Sequence, residues 1–183
     1  MPETTALAFR YADQADTPAI VALIERAYRG ADAAGKWTSE AHLLTGPRTS
    51  VEEISELIAR AESRFLLAED NNRIVGCCLL QGLRSEPDAP GINAAYFGMF
   101  AIDPETHGGG LGKLVIAEAE RRARELWRAN EMVMTVINLR TALIAWYERR
   151  GYQLTGVTIP FPFSETTGET TRDFHLVEMR KSL

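Results

Sequence analysis

A glycine-rich segment near the middle of the chain has the composition of an anion-binding loop. It reads His107-Gly108-Gly109-Gly110-Leu111-Gly112 and lies between an apolar strand pattern, Ala94 to Ile102, and a helical pattern from about Gly110 to Trp127. Successive backbone N–H groups at such a helix start face one point, and glycine permits the positive φ angles and close phosphate approach that a Cβ obstructs. The segment predicts a phosphate site; a helix start with flexible glycines is the alternative.

Three well-known glycine loops do not match this segment. The Walker A loop fails because His107 and Leu114 stand where it needs Gly and Ser or Thr. Lys113 or Val115 occupies the last glycine position of the dinucleotide fingerprint, depending on where the match begins. The esterase oxyanion loop matches four letters, but no serine lies in a G-x-S-x-G elbow. These mismatches argue against a P-loop NTPase, a dinucleotide-binding domain and an α/β-hydrolase.

Two motifs resemble those of a known family, the GCN5-related N-acetyltransferases (GNAT). Phe100 to Pro104 matches the apolar-x-apolar-x-Pro end of the family's acetyl-CoA strand, and the glycine segment matches the [Gln/Arg]-x-x-Gly-x-[Gly/Ala] that follows it. His107 stands where glutamine or arginine is usual, which weakens side-chain assistance but leaves the backbone groups in place. Tyr147 to Tyr152 is similar to the family's Tyr-x-x-x-Gly-[Phe/Tyr] closure. The resemblance covers the whole chain in element order and is strongest from Phe100 to Tyr152.

The resemblance implies where acetyl-CoA, the expected cosubstrate, would bind. Backbone groups of the strand before the glycine segment would pair with the pantetheine arm, and Gly108 to Lys113 would hold the pyrophosphate. Many members have an asparagine seven residues before the tyrosine; here that position is Arg140, with Asn138 two residues earlier. One of the two is expected to substitute, although Arg140 would serve equally well as a solvent-facing helix start. The residues expected to bind acetyl-CoA are Phe100, Ala101, Ile102, His107, Gly108, Gly109, Gly110, Leu111, Gly112, Lys113, Asn138 and Arg140.

Tyr147 occupies the family's position for a catalytic acid. Acetyl transfer from a thioester to an amine needs a neutral nucleophile, a stabilised oxyanion and a proton for the departing thiolate. A phenol, with an ordinary pKa of about 10, stays protonated at neutral pH and can supply that proton. The alternative is a core tyrosine beside Trp146. Thr135 stands where ribosomal-protein acetyltransferases carry a catalytic glutamate, which argues against that subclass.

No general base stands out for the acceptor amine. Glu40, His42, Tyr96 and His175 lie in regions that can border the acceptor channel of this fold, and a water chain is the alternative to all four. The segments Arg29 to Arg48 and Thr158 to Phe163 are long for simple connections and carry aromatic residues. The aromatic residues could instead cover a satellite core or form a dimer contact. The residues expected to shape the acceptor site are Trp37, Glu40, Tyr96, Phe161 and Phe163.

Hydrophobic periodicity predicts eleven elements in the order β-α-α-β-β-β-α-β-α-β-β. The helices are marked by Asp16-Thr17-Pro18 and by a capping box at Ser50, and the third is expected to turn Leu111, Leu114, Val115, Ala119 and Leu126 inward. Gly98 predicts a bulge or relieves packing in its strand. By resemblance the fold class is α/β (α+β): a mixed sheet of about seven strands with splayed central strands and about four helices. The strands are expected at Leu7 to Tyr11, Phe65 to Ala68, Ile74 to Leu80, Ala94 to Ile102, Met132 to Ile137, Tyr152 to Val157 and Phe174 to Met179.

Composition limits the remaining classes of function. With 183 residues, 45% hydrophobic and 25% charged, residues 1–183 are expected to form one domain. The net charge is −5, and the basic run Arg121 to Arg124 has the helical spacing of a solvated face, so nucleic-acid binding is not expected. The first residues resemble no signal peptide and no apolar run would span a membrane, which predicts a cytoplasmic protein. Cys77 and Cys78 point to opposite faces of one strand, and the three histidines lack metal-ligand spacing.

The sequence therefore predicts an acetyl-CoA-dependent N-acetyltransferase. It would transfer an acetyl group to a primary amine, either a small molecule or an exposed peptide or lysine amine, by direct attack in a ternary complex. A noncatalytic acyl-CoA-binding or sensing module of the same fold is the alternative, since a fold and a cofactor site do not prove turnover.

Overall fold

The computed structural model describes residues 7–31, 39–83, 93–106, 110–163 and 173–183. None of the helices in these ranges is both long and apolar enough to span a membrane. A short 3₁₀ turn, Gln14–Asp16, precedes the first helix. The helices are α1 (Thr17–Arg29), α2 (Val51–Ala59), α3 (Leu111–Trp127) and α4 (Thr141–Glu148). The strands are β1 (Ala8–Tyr11), β2 (Ser63–Asp70), β3 (Arg73–Leu83), β4 (Ala94–Ile102), β5 (Glu131–Ile137), β6 (Gln153–Pro160) and β7 (His175–Ser182).

The described strands form one mixed sheet in the order β1-β2-β3-β4-β5-β7-β6. Every neighbouring pair is antiparallel except β4 and β5, which are parallel and are connected through α3. Their pairing begins at Ala94 with Glu131 and ends at Tyr96 with Val133, so the two strands separate beyond that point. The predicted seven-stranded sheet with splayed central strands and four helices is confirmed.

Two apolar cores cover the two faces of the sheet. The stripe predicted for α1, which begins at Ile20, is fully buried beside Ile54 of α2 and Cys77 of β3. Cys78 lies in the other core, beneath α3, and both cysteines are free, as their alternation along the strand predicted.

Helix α3 buries fewer of the predicted leucines than expected. Leu111, Val115 and Ala119 are buried as predicted, but Leu114 is 50% exposed and Leu126 is 36% exposed. The inward face is completed by Ile116 and Ala123 instead. The apolar pattern of this helix is wide enough for two stripes, and contact with the sheet selects the one that continues from Leu111.

The second helix and the hairpin also depart in detail from the sequence pattern. Ser50 Oγ accepts from the Glu53 N–H at 3.2 Å, but the Glu53 carboxylate accepts from the Thr49 hydroxyl at 2.7 Å, so the predicted box is only half formed. Helix α2 ends before Ala61, which is exposed. Strands β2 and β3 are longer than predicted and meet at Asn71-Asn72, whose φ angles of 49° and 61° suit a tight hairpin turn.

Strand β4 carries a bulge directly after Gly98. Cys77 pairs with Ala101 but Leu79 pairs with Gly98, so β4 contains one extra residue, and Met99 takes a φ of 44°. A Cβ at Gly98 would lie 2.6 Å from Cε1 of Tyr96. Both interpretations of this glycine therefore hold, because it borders a bulge and also makes room for a neighbouring ring.

Candidate active site

A cavity of about 270 Å³ opens where β4 and β5 separate. We call it the central cavity. Its walls come from the bulged part of β4, the second half of β5, α4, the end of α1 and the loop that follows α1. The described residues that line it include Tyr28, Arg29, Glu40, Leu44, Arg48, Tyr96, Phe97, Phe100, Thr135, Arg140, Leu143, Tyr147, Phe161 and Leu176.

Tyr147 reaches this cavity from α4 and is only 5% exposed. Its ring packs edge-on against Trp146 at 5.2 Å and Tyr152 at 5.8 Å between centroids. Burial raises the pKa of Tyr147 well above its ordinary value, and the neighbouring Tyr28 adds to that shift. The side chain is thus both part of the core and a cavity wall, and its phenol keeps its proton through the neutral range.

Tyr28 connects α1 to the bulge in β4. Its hydroxyl donates to the Phe100 carbonyl at 2.8 Å, and burial raises the pKa of Tyr28 to about 12. Among the three predicted backbone partners of acetyl-CoA, Phe100 lines the cavity, whereas Ala101 and Ile102 are not among its walls. The stretch of β4 that faces the gap therefore begins earlier, at Phe97. The 72-residue separation of Tyr28 and Phe100 left no signal in the sequence.

The loop after β4 is anchored by a buried aspartate. The Asp103 carboxylate accepts from Arg73 at 2.5 Å, from Arg26 at 3.2 Å and from the Glu105 N–H at 3.0 Å. Burial alone would raise the pKa of Asp103, but these bonds hold it below its ordinary value. The ion pairs fix the direction in which the chain leaves β4 toward the glycine segment.

The described part of the glycine segment forms the N-terminus of α3. Gly110 takes a φ of 69°, and its carbonyl accepts from the Lys113 and Leu114 N–H groups at 2.8 and 3.2 Å. The N–H groups of Leu111 and Gly112 make no hydrogen bond to any described residue and belong to the first helical turn, which favours an anion. This end of α3 fits a phosphate group. His107, Gly108 and Gly109 lie outside the described residues.

A second, basic cavity of about 610 Å³ begins at the same helical turn and runs between α3 and α4. Lys113, Arg149 and Arg150 line it, together with Lys181, which is paired with Glu120 at 2.8 Å. Arg150 lies 3.3 Å from the centre of the Trp146 ring, and burial followed by repulsion from Arg149 lowers its pKa. The sequence did not single out either arginine as a cavity residue, although both lie inside the quoted Tyr147 to Tyr152 motif.

The loop after α1 supplies Glu40 to a buried ion cluster in the wall of the central cavity. Glu40 accepts from Arg29 Nη1 at 3.0 Å and from Arg140 Nη1 at 3.1 Å, one guanidinium on each carboxylate oxygen. The Arg140 side chain is 7% exposed, so the expectation of a solvent-facing residue is wrong. Asn138 does not line the cavity; its side-chain oxygen accepts from the His175 N–H at 3.0 Å. Trp37 lies outside the described residues.

The four base candidates separate clearly in the structure. His42 is exposed, and neither His42 nor His175 lines the central cavity. Tyr96 does, with its hydroxyl 3.3 Å from Thr135 Oγ1. Glu40 is the one carboxylate among the described cavity walls, and both of its oxygens already accept from arginines. Within the described ranges no group of three His, Cys, Asp or Glu side chains could hold a metal ion.

Phe161 packs against a satellite core, one of the two alternatives open from the sequence for the aromatic residues. Phe161 packs with Phe174 at 4.9 Å, beside Leu43 and Leu44, and also lines the central cavity. Phe163 contacts the same rings but is 48% exposed and is not a cavity wall. Pro160 lies in β6 rather than in the predicted loop.

These positions predict different effects for two matched substitutions. Phe161→Ala is expected to raise KM for the amine and to destabilise the fold by about 2 kcal/mol, a fall in Tm of about 4–8 °C. Phe163→Ala should leave amine KM unchanged and lower Tm less. Steady-state kinetics and thermal melts of both variants measure this, and equal KM values would remove Phe161 from the acceptor site.

The fold is shared with acetyltransferases of known structure. The ribosomal-protein-alanine N-acetyltransferase of Brucella melitensis superposes with a TM-score of 0.67 at 21% identity, covering 96% of this chain and 99% of that chain. The YncA protein of Salmonella typhimurium, solved with its cofactor acetyl-CoA, gives a TM-score of 0.66 at 19% identity over 97% and 94% of the two chains. These likenesses establish the fold.

The sequence model of the acetyltransferase (GNAT) family matches residues 31–152. The mycothiol acetyltransferase of Salinispora arenicola (strain CNS-205) is 30% identical over 143 residues, which are 75% of this chain and 41% of that protein. The chain thus spans about two fifths of the length of this relative. It belongs to the GNAT family of acetyltransferases, which use acetyl-CoA.

Proposed function

We propose that this acetyltransferase transfers the acetyl group of acetyl-CoA to a primary amine by direct attack in a ternary complex. The observation that carries the proposal is the buried, protonated Tyr147 in the wall of the central cavity, at the gap between β4 and β5. A phenol in this place can protonate a departing thiolate, whereas a module that only binds acyl-CoA has no use for an acid there.

The binding part of the proposal uses both cavities. The acyl arm would lie along the part of β4 that faces the gap, from Phe97 to Phe100, and the pyrophosphate would accept from the first N–H groups of α3. Lys113, Arg149 and Arg150 then supply positive charge for the remaining phosphate. Support comes from the φ of 69° at Gly110 and from the cationic side chains around the basic cavity.

The chemical steps need a neutral amine and one proton donor. The amine nitrogen attacks the thioester carbonyl, a C–N bond forms, and the C–S bond breaks with its electron pair on sulfur. Tyr147 donates its phenolic proton to that sulfur and regains a proton from the nitrogen through water. Glu40, the one carboxylate among the described walls of the cavity, is held by two arginines, so we assign deprotonation of the amine to water beside Tyr96 and Thr135.

The pH dependence follows from these two groups. The acceptor amine must lose its proton before attack, so kcat/KM for the amine should rise with pH toward the pKa of the acceptor. Tyr147 is active while protonated, and because burial raises its pKa well above the ordinary value, no fall from its ionisation is expected below about pH 10. A pH profile measured at saturating acetyl-CoA tests this. A falling limb near neutral pH, absent from Tyr147→Phe, would contradict it.

A noncatalytic acyl-CoA sensor remains the second candidate, and one experiment separates the two. Release of free CoA thiol is measured with acetyl-CoA and a panel of amino acids, amino-acid amides, polyamines, aminoglycosides and peptides, beside calorimetric titration with CoA. Amine-dependent release supports the transferase. CoA binding without release for any amine supports the sensor.

Three broader expectations stay predictions. These are a single domain over residues 1–183, a cytoplasmic location and a homodimer. For the homodimer, β6 is an edge strand in which all eight residues are exposed, including Leu154 and Val157. An exposed apolar edge strand is a surface on which a second strand can pair.

A further inference from the structure

The described walls of the central cavity carry more positive than negative charge. Three guanidinium groups, those of Arg29, Arg48 and Arg140, line it, and Glu40 is the one carboxylate among its described walls. The described walls therefore carry a surplus of two positive charges, in a chain whose net charge is −5. The surplus is thus a local feature and not a consequence of overall composition.

Glu40 does not offer a site for a cation. One oxygen accepts from Arg29 and the other from Arg140, and the residue is buried. Arg29 also donates from Nε to the Gly46 carbonyl at 2.8 Å. Both oxygens of the carboxylate are already hydrogen-bonded to arginines, so the cluster as a whole presents positive charge to a ligand in the cavity.

Of the three arginines in the cavity wall, Arg48 is the one that does not donate to Glu40, and it is our candidate for binding a ligand. Its guanidinium lies 5.2 Å from the centre of the Tyr28 ring, and among the described residues no carboxylate is within ion-pairing distance of it. Two nearby acids are occupied elsewhere: Glu25 accepts from the backbone N–H groups of Arg48 and Thr49, and Glu53 accepts from the Thr49 hydroxyl. Neither Glu25 nor Glu53 is a cavity wall.

The surroundings make an unbalanced charge costly. Apolar side chains, including Leu44, Phe97 and Phe161, form other walls of the same cavity, so water solvates the guanidinium incompletely. A buried charge is stabilised by a partner of opposite sign, and a second cation entering here would be repelled. Polyamines are therefore disfavoured as acceptors, and a ligand with an anionic group is favoured.

The position of Arg48 also connects the anion to the reacting atoms. Arg48 stacks on Tyr28, and the hydroxyl of Tyr28 donates to the Phe100 carbonyl at the bulge, where β4 faces the gap. An acceptor held by its anion at Arg48 would thus extend toward the gap and Tyr147. The cavity volume of about 270 Å³ lies near the lower end of the range for ligand sites and admits only a small acceptor.

We propose that the acceptor is a small amine carrying a carboxylate, of amino-acid type, and that Arg48 binds this carboxylate. The inference rests on the proposed acetyl transfer and names the acceptor class for the same site. The carboxylate of such an acceptor would offset the surplus positive charge of the described cavity walls, and its amine would reach the thioester in the neutral form.

The first arm of the test compares matched acceptors. Free amino acids are assayed against their own amides and against the corresponding amines without the carboxyl group, with spermidine as a cationic acceptor. The amide has the more acidic ammonium group, so a larger fraction of it is the neutral, nucleophilic amine at neutral pH. A kcat/KM at least 10-fold higher for the amino acid therefore reports recognition of the carboxylate. Faster acetylation of amides or of spermidine would overturn this inference and leave the transferase standing, whereas no acetylation of any amine overturns both.

The second arm tests Arg48. Arg48→Gln is expected to raise KM for the amino acid by about 10- to 100-fold, to leave KM for acetyl-CoA unchanged and to bring amino acid and amide toward equality. Arg48→Lys should recover part of the loss because it keeps the charge without the planar fork. Arg60→Gln, an exposed arginine at the end of α2, is the control with unchanged kinetics. A rise in KM for acetyl-CoA instead would assign Arg48 to a CoA phosphate and overturn the inference.

Discussion

Tyr147→Phe is expected to lower kcat by about 10- to 1,000-fold with little change in the affinity for CoA. The substitution removes one proton and keeps the ring that packs against Trp146 and Tyr152. If the phenol protonates the departing thiolate, the loss should shrink for an acetyl thioester whose thiol is more acidic, because that leaving group needs no proton. Single-turnover rates with acetyl-CoA and with such a thioester measure the difference.

Tyr152→Phe is the matched control for this experiment. Tyr152 is buried next to Tyr147, and its hydroxyl donates to Glu120 at 3.0 Å rather than facing the central cavity. Loss of that bond should cost about 1 kcal/mol of stability and leave kcat unchanged. An unchanged rate for Tyr147→Phe, with chemistry shown to limit turnover, would reduce Tyr147 to a packing role.

The elements of this fold were predictable because their signals are local. The stripe from Ile20 along α1, the alternation of Cys77 and Cys78 and the glycine before the bulge all depend on neighbours within one helix or strand. Strand ends were predicted less well, since pairing with β3 or β7 extends a strand beyond its apolar run. Leu114 is exposed although it belongs to the apolar pattern of α3, because a wide apolar stripe does not predict which of its edges packs against the sheet.

The candidate site was predictable only where it follows a motif. Gly110, Lys113 and Tyr147 lie in contiguous patterns, whereas the bonds that shape the acceptor end join residues far apart in the chain. Glu40 and Arg140 are separated by 100 residues, and the loop that carries Glu40 has no periodicity that would place its side chain. Nothing in the sequence around Arg48 distinguishes it from a surface arginine; only the fold shows that it lies over the Tyr28 ring and lines the cavity.

Gly110→Asp is expected to weaken CoA binding by about 100-fold or more, while Gly110→Asn weakens it far less. Gly110 precedes α3 with a φ of 69°, a conformation that Asp and Asn both tolerate better than other side chains. Among the described residues its Cβ would meet only Lys113 Cδ, at 3.7 Å, and the two variants share their steric effect and differ in charge. Gly112→Asp should also abolish binding, but Gly112 is buried and that variant tests folding as well.

The charge of the introduced aspartate is expected to act in opposite directions on the stability of the fold and on CoA binding. An aspartate at the start of a helix favours the helix, because its charge interacts well with the first N–H groups, so Tm of Gly110→Asp should equal or exceed that of Gly110→Asn, which carries the same backbone strain. The same charge repels a phosphate that accepts from those groups: two unit charges about 4 Å apart repel by about 4 kcal/mol near a protein surface, close to 1,000-fold in Kd, and salt reduces this. Isothermal titration of both variants at low and high salt is the measurement. Equal CoA affinity of the Asp and Asn variants at low salt would place the pyrophosphate away from α3, and with it the proposed path of the acyl arm along β4.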